Sequence, residues 1–106
     1  MKTGNKEVLK MEVTRWDFCL DVLEEIGRAY PKRTHANWLV CASRVDETYF
    51  RNVLFDLYDD GYIDAHIAET LNMSHFQEVW LKRGGVDALR EEGRYVSSDL
   101  LAWYFS

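Results

Sequence analysis

Three histidines and two cysteines are the side chains of this chain best suited to metal binding or nucleophilic catalysis. They are His35, His66, His75, Cys19 and Cys41. None of them has the spacing of zinc ligands, and if His66 and His75 met across a hairpin, two ligands would still be too few for a zinc site. No serine or cysteine lies in a motif that pairs it with a base. The sequence therefore predicts a protein that is not an enzyme and has no metal or cofactor.

A second group of residues has the chemistry of DNA recognition. Arg51 can form paired hydrogen bonds with guanine, Asn52 can do so with adenine, and Thr48 can bond a phosphate. Together with Arg44, which lies just before them in the chain, they form a candidate DNA-binding set.

The charge around these residues has the wrong sign for DNA. The chain of 106 residues carries a net charge of −5, and residues 46–78 hold eight acids and one base, which is −7. The remaining residues hold ten acids and twelve bases, which is +2. Because cations that neutralise phosphates dominate affinity for DNA, the acidic segment should repel it. To bind DNA, the protein would have to use basic residues outside that segment, namely Arg28, Lys32, Arg33, Arg44, Lys82 and Arg83.

The same acids favour a protein partner. An acidic helix followed by an acidic hairpin could occupy the basic groove of a nucleic-acid-binding protein by imitating phosphate charge. Phe55 lies among the acids and would act as an anchor, since aromatic side chains dominate the energetics of many interfaces. The candidate partner-binding residues are Phe55, Asp56, Asp59, Asp60 and Glu69.

The helix that positions both groups is predicted within residues 47–63. Its apolar side chains recur at helical spacing, at Phe50, Val53, Leu54, Leu57 and Tyr58. Asp46 is placed to cap its first turn, and Gly61 is placed to end it in a left-handed conformation.

Two helices are predicted ahead of it. Residues 1–12 are predicted as a flexible arm, and residues 13–30 as a helix that Pro31 ends. Residues 34–42 are predicted as a short helix with Thr34 as its N-cap. The side of that helix expected to be buried carries Trp38, Leu39 and Ala42.

The second half of the chain reads as a hairpin and two helices. The predicted order is a strand at 62–68, a polar link at 69–75, a strand at 76–81, a break at Gly84–Gly85, a helix at 86–92 stopped by Gly93, and a terminal helix at 98–106 capped by Ser97 or Ser98. The fold class is therefore α+β.

Aromatic residues near the end of the chain are expected to be buried in a contact. Trp103, Tyr104 and Phe105 are too apolar to stand in water and must pack on the body or on a second copy of the chain. Phe18 and Val22 project from the first helix away from its core face, so the arm or the tail covers them, which we favour, or they form a contact surface. Trp103, Tyr104, Phe105 and Phe18 are the candidate residues of a dimer interface.

The order of helices and strands, with two local motifs, resembles the winged helix-turn-helix superfamily. The motifs are L-x-D-x-G-Y-I at residues 57–63 and V-W-L-K-R-G-G-x-x-A-L-R-E-E-G at residues 79–93. Small prophage-type members, such as the YjcQ-like winged helices, look similar in length and in this ending. The resemblance implies a three-helix core with a two-stranded wing over residues 13–93 and a C-terminal aromatic helix over 94–106. It implies no single function, because such domains bind both DNA and proteins.

Two functions remain in competition on the sequence alone. The leading hypothesis is a non-enzymatic, phage-like protein that acts by protein–protein interaction and inhibits a nucleic-acid-binding partner. The alternative is a DNA-binding regulator of phage or mobile-element type, dimeric through its terminal helix. The absence of an apolar stretch long enough to span a bilayer, and of an export signal, predicts a cytoplasmic protein without a membrane partner.

Overall fold

The computed structural model describes the backbone of residues 3–70 and 73–106 and the side chains of residues 15–68 and 75–106. Within these ranges, five helices and a three-stranded antiparallel sheet form an α+β domain. Their bounds are α1 Thr3–Ala29, β1 Thr34–His35, α2 Ala36–Ser43, α3 Glu47–Asp59, β2 Ile63–Thr70, β3 Met73–Leu81, α4 Arg83–Glu91 and α5 Ser98–Phe105.

Helix α3 forms as the sequence predicts. The side-chain carboxylate of Asp46 accepts a hydrogen bond from the backbone N–H of Tyr49 at 3.0 Å, which satisfies one of the free donors of the first turn. Gly61 has a φ of +84°, the left-handed conformation that glycine adopts without strain. The apolar stripe faces inward, with Phe50, Val53, Leu54 and Leu57 buried and Tyr58 half-buried.

The sheet contains a short strand that the sequence prediction missed. Strand β1 pairs with β3, so that the strand order is β1–β3–β2. Thr34, predicted as the N-cap of α2, lies in β1 opposite Val79. Only 7% of this residue is exposed. The prediction was wrong because a two-residue strand has no periodicity, and its partner lies far along the chain.

The β2–β3 hairpin is longer than predicted and its tip is narrower. Ladder pairs continue out to Thr70 and Met73, so only residues 71 and 72 separate the strands, and these two lie outside the described residues. The polar link predicted at 69–75 was therefore largely strand. The ladder shifts register between His66 and Ile67, where Gln77 of β3 has no opposite residue.

Helix α1 begins at Thr3, ten positions before the predicted start at residue 13. Residues 3–12, predicted as a flexible arm, are helical, and residues 1 and 2 lie outside the described residues. The end of the helix agrees with prediction, since α1 stops at Ala29, just before Pro31.

Helices α4 and α5 close the core on the side of the sheet that faces α1. The N-terminal turn of α4 packs on the chain between α3 and β2, and a Cβ on Gly85 would collide with the carbonyl oxygen of Tyr62. Gly93 follows Glu92, the C-cap of α4, and has a φ of +67°, in agreement with its predicted role as the stop of this helix. Of the two predicted caps of α5, the structure uses Ser97, whose hydroxyl accepts from the N–H of Leu100 at 3.2 Å.

Two of the three predicted core positions of α2 are wrong. Leu39 is buried, but Trp38 is 57% exposed and Ala42 is also exposed. The buried side of α2 instead carries Ala36, Leu39 and Val40. Thr34 lies in β1, so the N-cap is His35, one residue later than predicted.

Candidate interaction surfaces

The outer face of α3 holds the predicted DNA-binding residues, but its one arginine is already occupied. Arg51 donates from Nε to an oxygen of Glu47 at 2.8 Å and from Nη2 to the side-chain oxygen of Asn37 at 3.1 Å. Thr48 and Asn52 are exposed beside it. The guanidinium that should read a guanine therefore ties α3 to the start of α2.

Asp56, predicted to bind a partner, also has a contact within the molecule. Its carboxylate accepts from Nη2 of Arg15 on α1 at 2.5 Å. The pair is half-exposed, since the Arg15 side chain is 40% and the Asp56 side chain 57% accessible. Asp56 thus links α3 to α1, and its charge is balanced locally.

The last turn of α3 carries the remaining predicted acids. Asp59 is the last helical residue and Asp60 is the C-cap, and both are exposed. Phe55, four residues before Asp59 and therefore on the same face, is 48% exposed and packs on the ring of Phe76 at 4.9 Å. We call Phe55, Asp59 and Asp60 the acidic end. No described side chain forms an ion pair with either aspartate of this group.

The electrostatics of the acidic end are unusual for a helix terminus. The C-terminal carbonyl groups of a helix carry a partial negative charge that favours cations. The last turn of α3 contains no basic residue and has aspartates at 56, 59 and 60. Asp56 is paired with Arg15, so Asp59 and Asp60 are the two negative charges that lie beside the partial charge and lower the stability of the helix.

The remaining residues of the two predicted groups contribute less. Arg44 is exposed and caps the end of α2 with a φ of +58°, so its backbone has a structural role in the turn. Glu69 lies in β2, and its side chain lies outside the described side chains.

The residues predicted for a dimer interface are mostly covered within the molecule. Trp103 lies 6.0 Å from the ring of Tyr30, and the hydroxyl of Tyr104 donates to the carboxylate of Asp87. Phe18 packs edge-on against the ring of Phe50 at 5.4 Å, so α3 supplies part of its cover, and the side chains of the predicted arm lie outside the described side chains.

Phe105 is the exception in that group, since its side chain is 66% exposed. The guanidinium of Arg90 lies 5.0 Å from the centre of its ring. The tail therefore packs on α1 and α4 for most of its length, as one of the two sequence interpretations proposed.

A shallow apolar cavity lies between α1 and α2. It has a volume of about 330 Å³, and Phe18, Val22, Trp38 and Leu39 contribute to its lining, with Asp21 at its edge. The exposed indole of Trp38 forms one side. Sequence reasoning placed Trp38 in the core and so did not find this cavity.

A basic–aromatic pocket lies where the ends of α1, β3 and α5 meet. It has a volume of about 460 Å³, and we define it by Arg33, Trp80, Lys82, Arg83 and Trp103. The guanidinium of Arg33 stacks over Trp80 at 3.9 Å from the ring centre. The sequence analysis counted Arg33, Lys82 and Arg83 among the six basic residues outside the acidic segment that could meet a polyanion, but it gave no sign that these three line one pocket.

All three histidines line a third cavity, of about 570 Å³, on the outer face of the sheet. His35 and His66 flank Glu78 in one row of the ladder. They share a face because Val79, the next residue on β3, is buried on the opposite side. Among the described residues, no group of three or more potential ligands is close enough to hold a metal ion.

The two cysteines differ in environment. Cys19 is buried in the core, and burial raises the pKa of its thiol, which disfavours the reactive thiolate. Cys41 is exposed on α2.

Comparison of the chain with models of protein families, with curated proteins and with solved structures finds no match. In the part of the chain that the structure describes, no helix combines the length and the apolar character needed to cross a bilayer. The function must therefore be argued from the surfaces of this molecule.

Proposed function

We propose that this protein is a non-enzymatic, winged-helix interaction module whose acidic end binds a positively charged surface of another protein. The winged-helix assignment is supported by the order of elements. A helix, a short strand, two helices and a hairpin follow one another, and β1 pairs with the second strand of the hairpin. On this assignment α2 and α3 form the helix-turn-helix and β2–β3 form the wing.

The observation that carries the proposal is the placement of acids at the wrong end of α3. Each acid in the last turn of a helix costs about 0.3–1 kcal/mol through the helix dipole, and no basic residue of the turn and no described ion pair offsets Asp59 and Asp60. Helix stability does not explain Asp59 and Asp60, whereas binding of a cationic partner does. The half-exposed ring of Phe55 next to them supplies the apolar contact that a charged patch lacks.

The partner that fits this surface is a protein with a basic nucleic-acid-binding groove. Such a groove is built to accept regularly spaced negative charge, and the acidic end offers the carboxylates of two consecutive residues, the last residue and the C-cap of α3. Occupation of the groove would exclude the nucleic acid. The module would then act as an inhibitor, in keeping with its resemblance to small prophage-type proteins.

DNA binding through α3 is the second candidate, because Thr48 and Asn52 are exposed on this helix. Two observations make it the weaker one. Arg51 is bonded to Glu47 and Asn37, which hold its guanidinium at the junction of α2 and α3 and use two of its five N–H donors. The acidic end would also lie against the phosphate backbone, where it lowers affinity.

The proposal is tested by capture of partners on the immobilised protein from a native lysate, followed by elution with duplex DNA. The test variant combines Asp59→Lys with Asp60→Lys. Lysine at these positions favours the helix dipole, so the fold should be retained or stabilised. The matched control combines Glu91→Lys with Glu92→Lys, which occupy the last residue and the C-cap of α4 and change the net charge equally.

We expect the wild-type protein and the control to capture a nucleic-acid-binding protein that duplex DNA releases, and the test variant to lose it. Capture that survives the reversal at Asp59 and Asp60, or that duplex DNA does not disturb, would show that the acidic end is only a solvated surface.

A further inference from the structure

We propose that the basic–aromatic pocket binds a nucleotide, either free or at the end of a single-stranded nucleic acid. Its volume of about 460 Å³ is within the range of small-ligand sites. It lies at the end of the sheet where β2 begins and β3 ends, away from the hairpin tip. The inference does not depend on the function proposed for the acidic end.

The charge of the pocket is opposite to that of the whole chain. Arg33, Lys82 and Arg83 are its three cations and Asp64 is its one acid, so its lining carries a net charge of +2 in a chain of −5. The Lys82 side chain is exposed and forms no ion pair with the described residues. Nη1 of Arg33 lies 3.9 Å from a carboxylate oxygen of Glu78. Lys82 and the remaining donors of Arg83 are therefore the groups left for a phosphate, which accepts charge-assisted hydrogen bonds through several oxygens.

One of these cations is held in place by the C-terminal helix. Arg83 donates from Nη2 to the backbone oxygen of Tyr104 at 2.7 Å, and its guanidinium lies 5.9 Å from the ring centre of Trp103. A guanidinium has five N–H donors, so one bond to a carbonyl leaves others for an anion. Because the side chain is already ordered, little conformational entropy is lost on binding.

The aromatic side chains of the pocket provide surfaces for a base. Trp80 and Trp103 are both half-buried at its wall, and the ring of Tyr30 lies 6.0 Å from that of Trp103. Arg33 covers Trp80 at 3.9 Å, and a guanidinium plane in this position is itself a stacking surface for a base. Stacking on such platforms accepts any base, because every base has a π-face.

Asp64 distinguishes a nucleotide from a simple anion. A site selected for phosphate alone gains nothing from a carboxylate in its lining, since like charges repel. Oδ1 of Asp64 accepts from the N–H of Ala65 at 2.8 Å, and no described residue donates to its other oxygen. A sugar hydroxyl or an exocyclic amino group of a base can donate to that oxygen.

The test measures binding of adenosine monophosphate by calorimetry and of a labelled single-stranded oligonucleotide by fluorescence anisotropy. The test variant is Lys82→Glu, at an exposed position where the fold should be retained. Arg90→Glu makes the same charge change at an exposed site outside the pocket, at a residue that belongs to no candidate binding set. Tryptophan emission is read in parallel on Trp103→Phe, with Trp38→Phe as its control.

We expect the wild-type protein to bind at least one of the two ligands with quenching of tryptophan emission. Lys82→Glu should weaken binding about tenfold or more, Arg90→Glu should leave it within about twofold, and Trp103→Phe should reduce the quench that Trp38→Phe retains. Tighter binding of the oligonucleotide would identify a strand end as the ligand, and equal binding a free nucleotide.

Three results would overturn the inference. They are absence of binding of both ligands to the wild-type protein, affinity unchanged in Lys82→Glu, and binding of inorganic phosphate or phosphotyrosine as tight as that of the nucleotide.

Discussion

The side chain of Arg51 shows how much a residue's role depends on neighbours that its type does not reveal. By type it is a reader of guanine, but in the structure it bonds Glu47 and Asn37 and joins α3 to α2. Asp56 is comparable, since its partner Arg15 lies 41 positions away in the sequence. Helical spacing places a side chain on a face, but it does not say which side chain from another element meets it.

The position of the acidic end is what the sequence predicted best, while its role in binding a partner stays a prediction. Asp59 and Asp60 are exposed at the end of α3, as the glycine stop and the helical spacing imply. Their position at a helix C-terminus could be read directly from Gly61, because a left-handed glycine follows the last turn.

Thr34 provides a test at the scale of a single side chain. Its hydroxyl is buried in β1 and has no hydrogen-bond partner among the described residues. Replacing it by the isosteric valine, in Thr34→Val, removes an unsatisfied polar group and suits a strand. We expect the free energy of unfolding to rise by about 1 kcal/mol, measured by urea denaturation.

Thr34→Ala is the control for that measurement, because it removes the hydroxyl but also the methyl group and should not stabilise the protein. A lower stability of Thr34→Val would mean that the hydroxyl has a partner, and that the environment described for β1 is incorrect.

Among the elements, those with local signals were predicted and those defined by long-range pairing were not. Helix α3, with its cap at Asp46 and its stop at Gly61, follows from residues within the helix and beside it. Strand β1 depends on Val79, which no window around Thr34 contains. The hairpin was extended for the same reason, since pairing overrode the low strand propensity of residues 69–75.

Gly85 tests the packing of α4 on the start of β2. The sequence indicated a break at this position, but the structure places Gly85 inside the first turn of α4, against the backbone of Tyr62. Gly85→Ala forces the helix away from that carbonyl oxygen, which also accepts from the N–H of Lys82 at 3.1 Å. We expect a loss of about 1–3 kcal/mol in the free energy of unfolding, from thermal or urea denaturation.

Arg90→Ala is a suitable comparison, since it places an alanine at an exposed position of the same helix and should cost much less. If Gly85→Ala were as stable as the wild-type protein, the close approach between α4 and the backbone of Tyr62 would not exist in solution.

At the scale of the molecule, charge is divided between two separate surfaces. The acidic end lies at the C-terminus of α3, and the basic–aromatic pocket lies where the ends of α1, β3 and α5 meet. The sequence revealed the imbalance between residues 46–78 and the rest of the chain. It could not reveal that Arg33, far from Lys82 in the chain, would stack on Trp80 and join it in one pocket.

On the proposed winged-helix assignment, the outer face of α3 is the one that would meet DNA, and the end of this face carries the negative charge of Asp59 and Asp60. The central claim is that this face binds a cationic protein and not a duplex. Binding of a short blunt-ended duplex at low ionic strength, followed by fluorescence anisotropy, tests it most directly, because low salt favours any phosphate contact. The ends are blunt so that the duplex offers no single-stranded end to the basic–aromatic pocket.

We predict that the wild-type protein does not bind the duplex under these conditions, and that Asp59→Lys with Asp60→Lys introduces measurable, salt-sensitive binding. The opposite result would be binding by the wild-type protein that falls steeply as salt rises and that Arg51→Ala with Asn52→Ala weakens. That result would contradict the account and identify α3 as a DNA-reading helix.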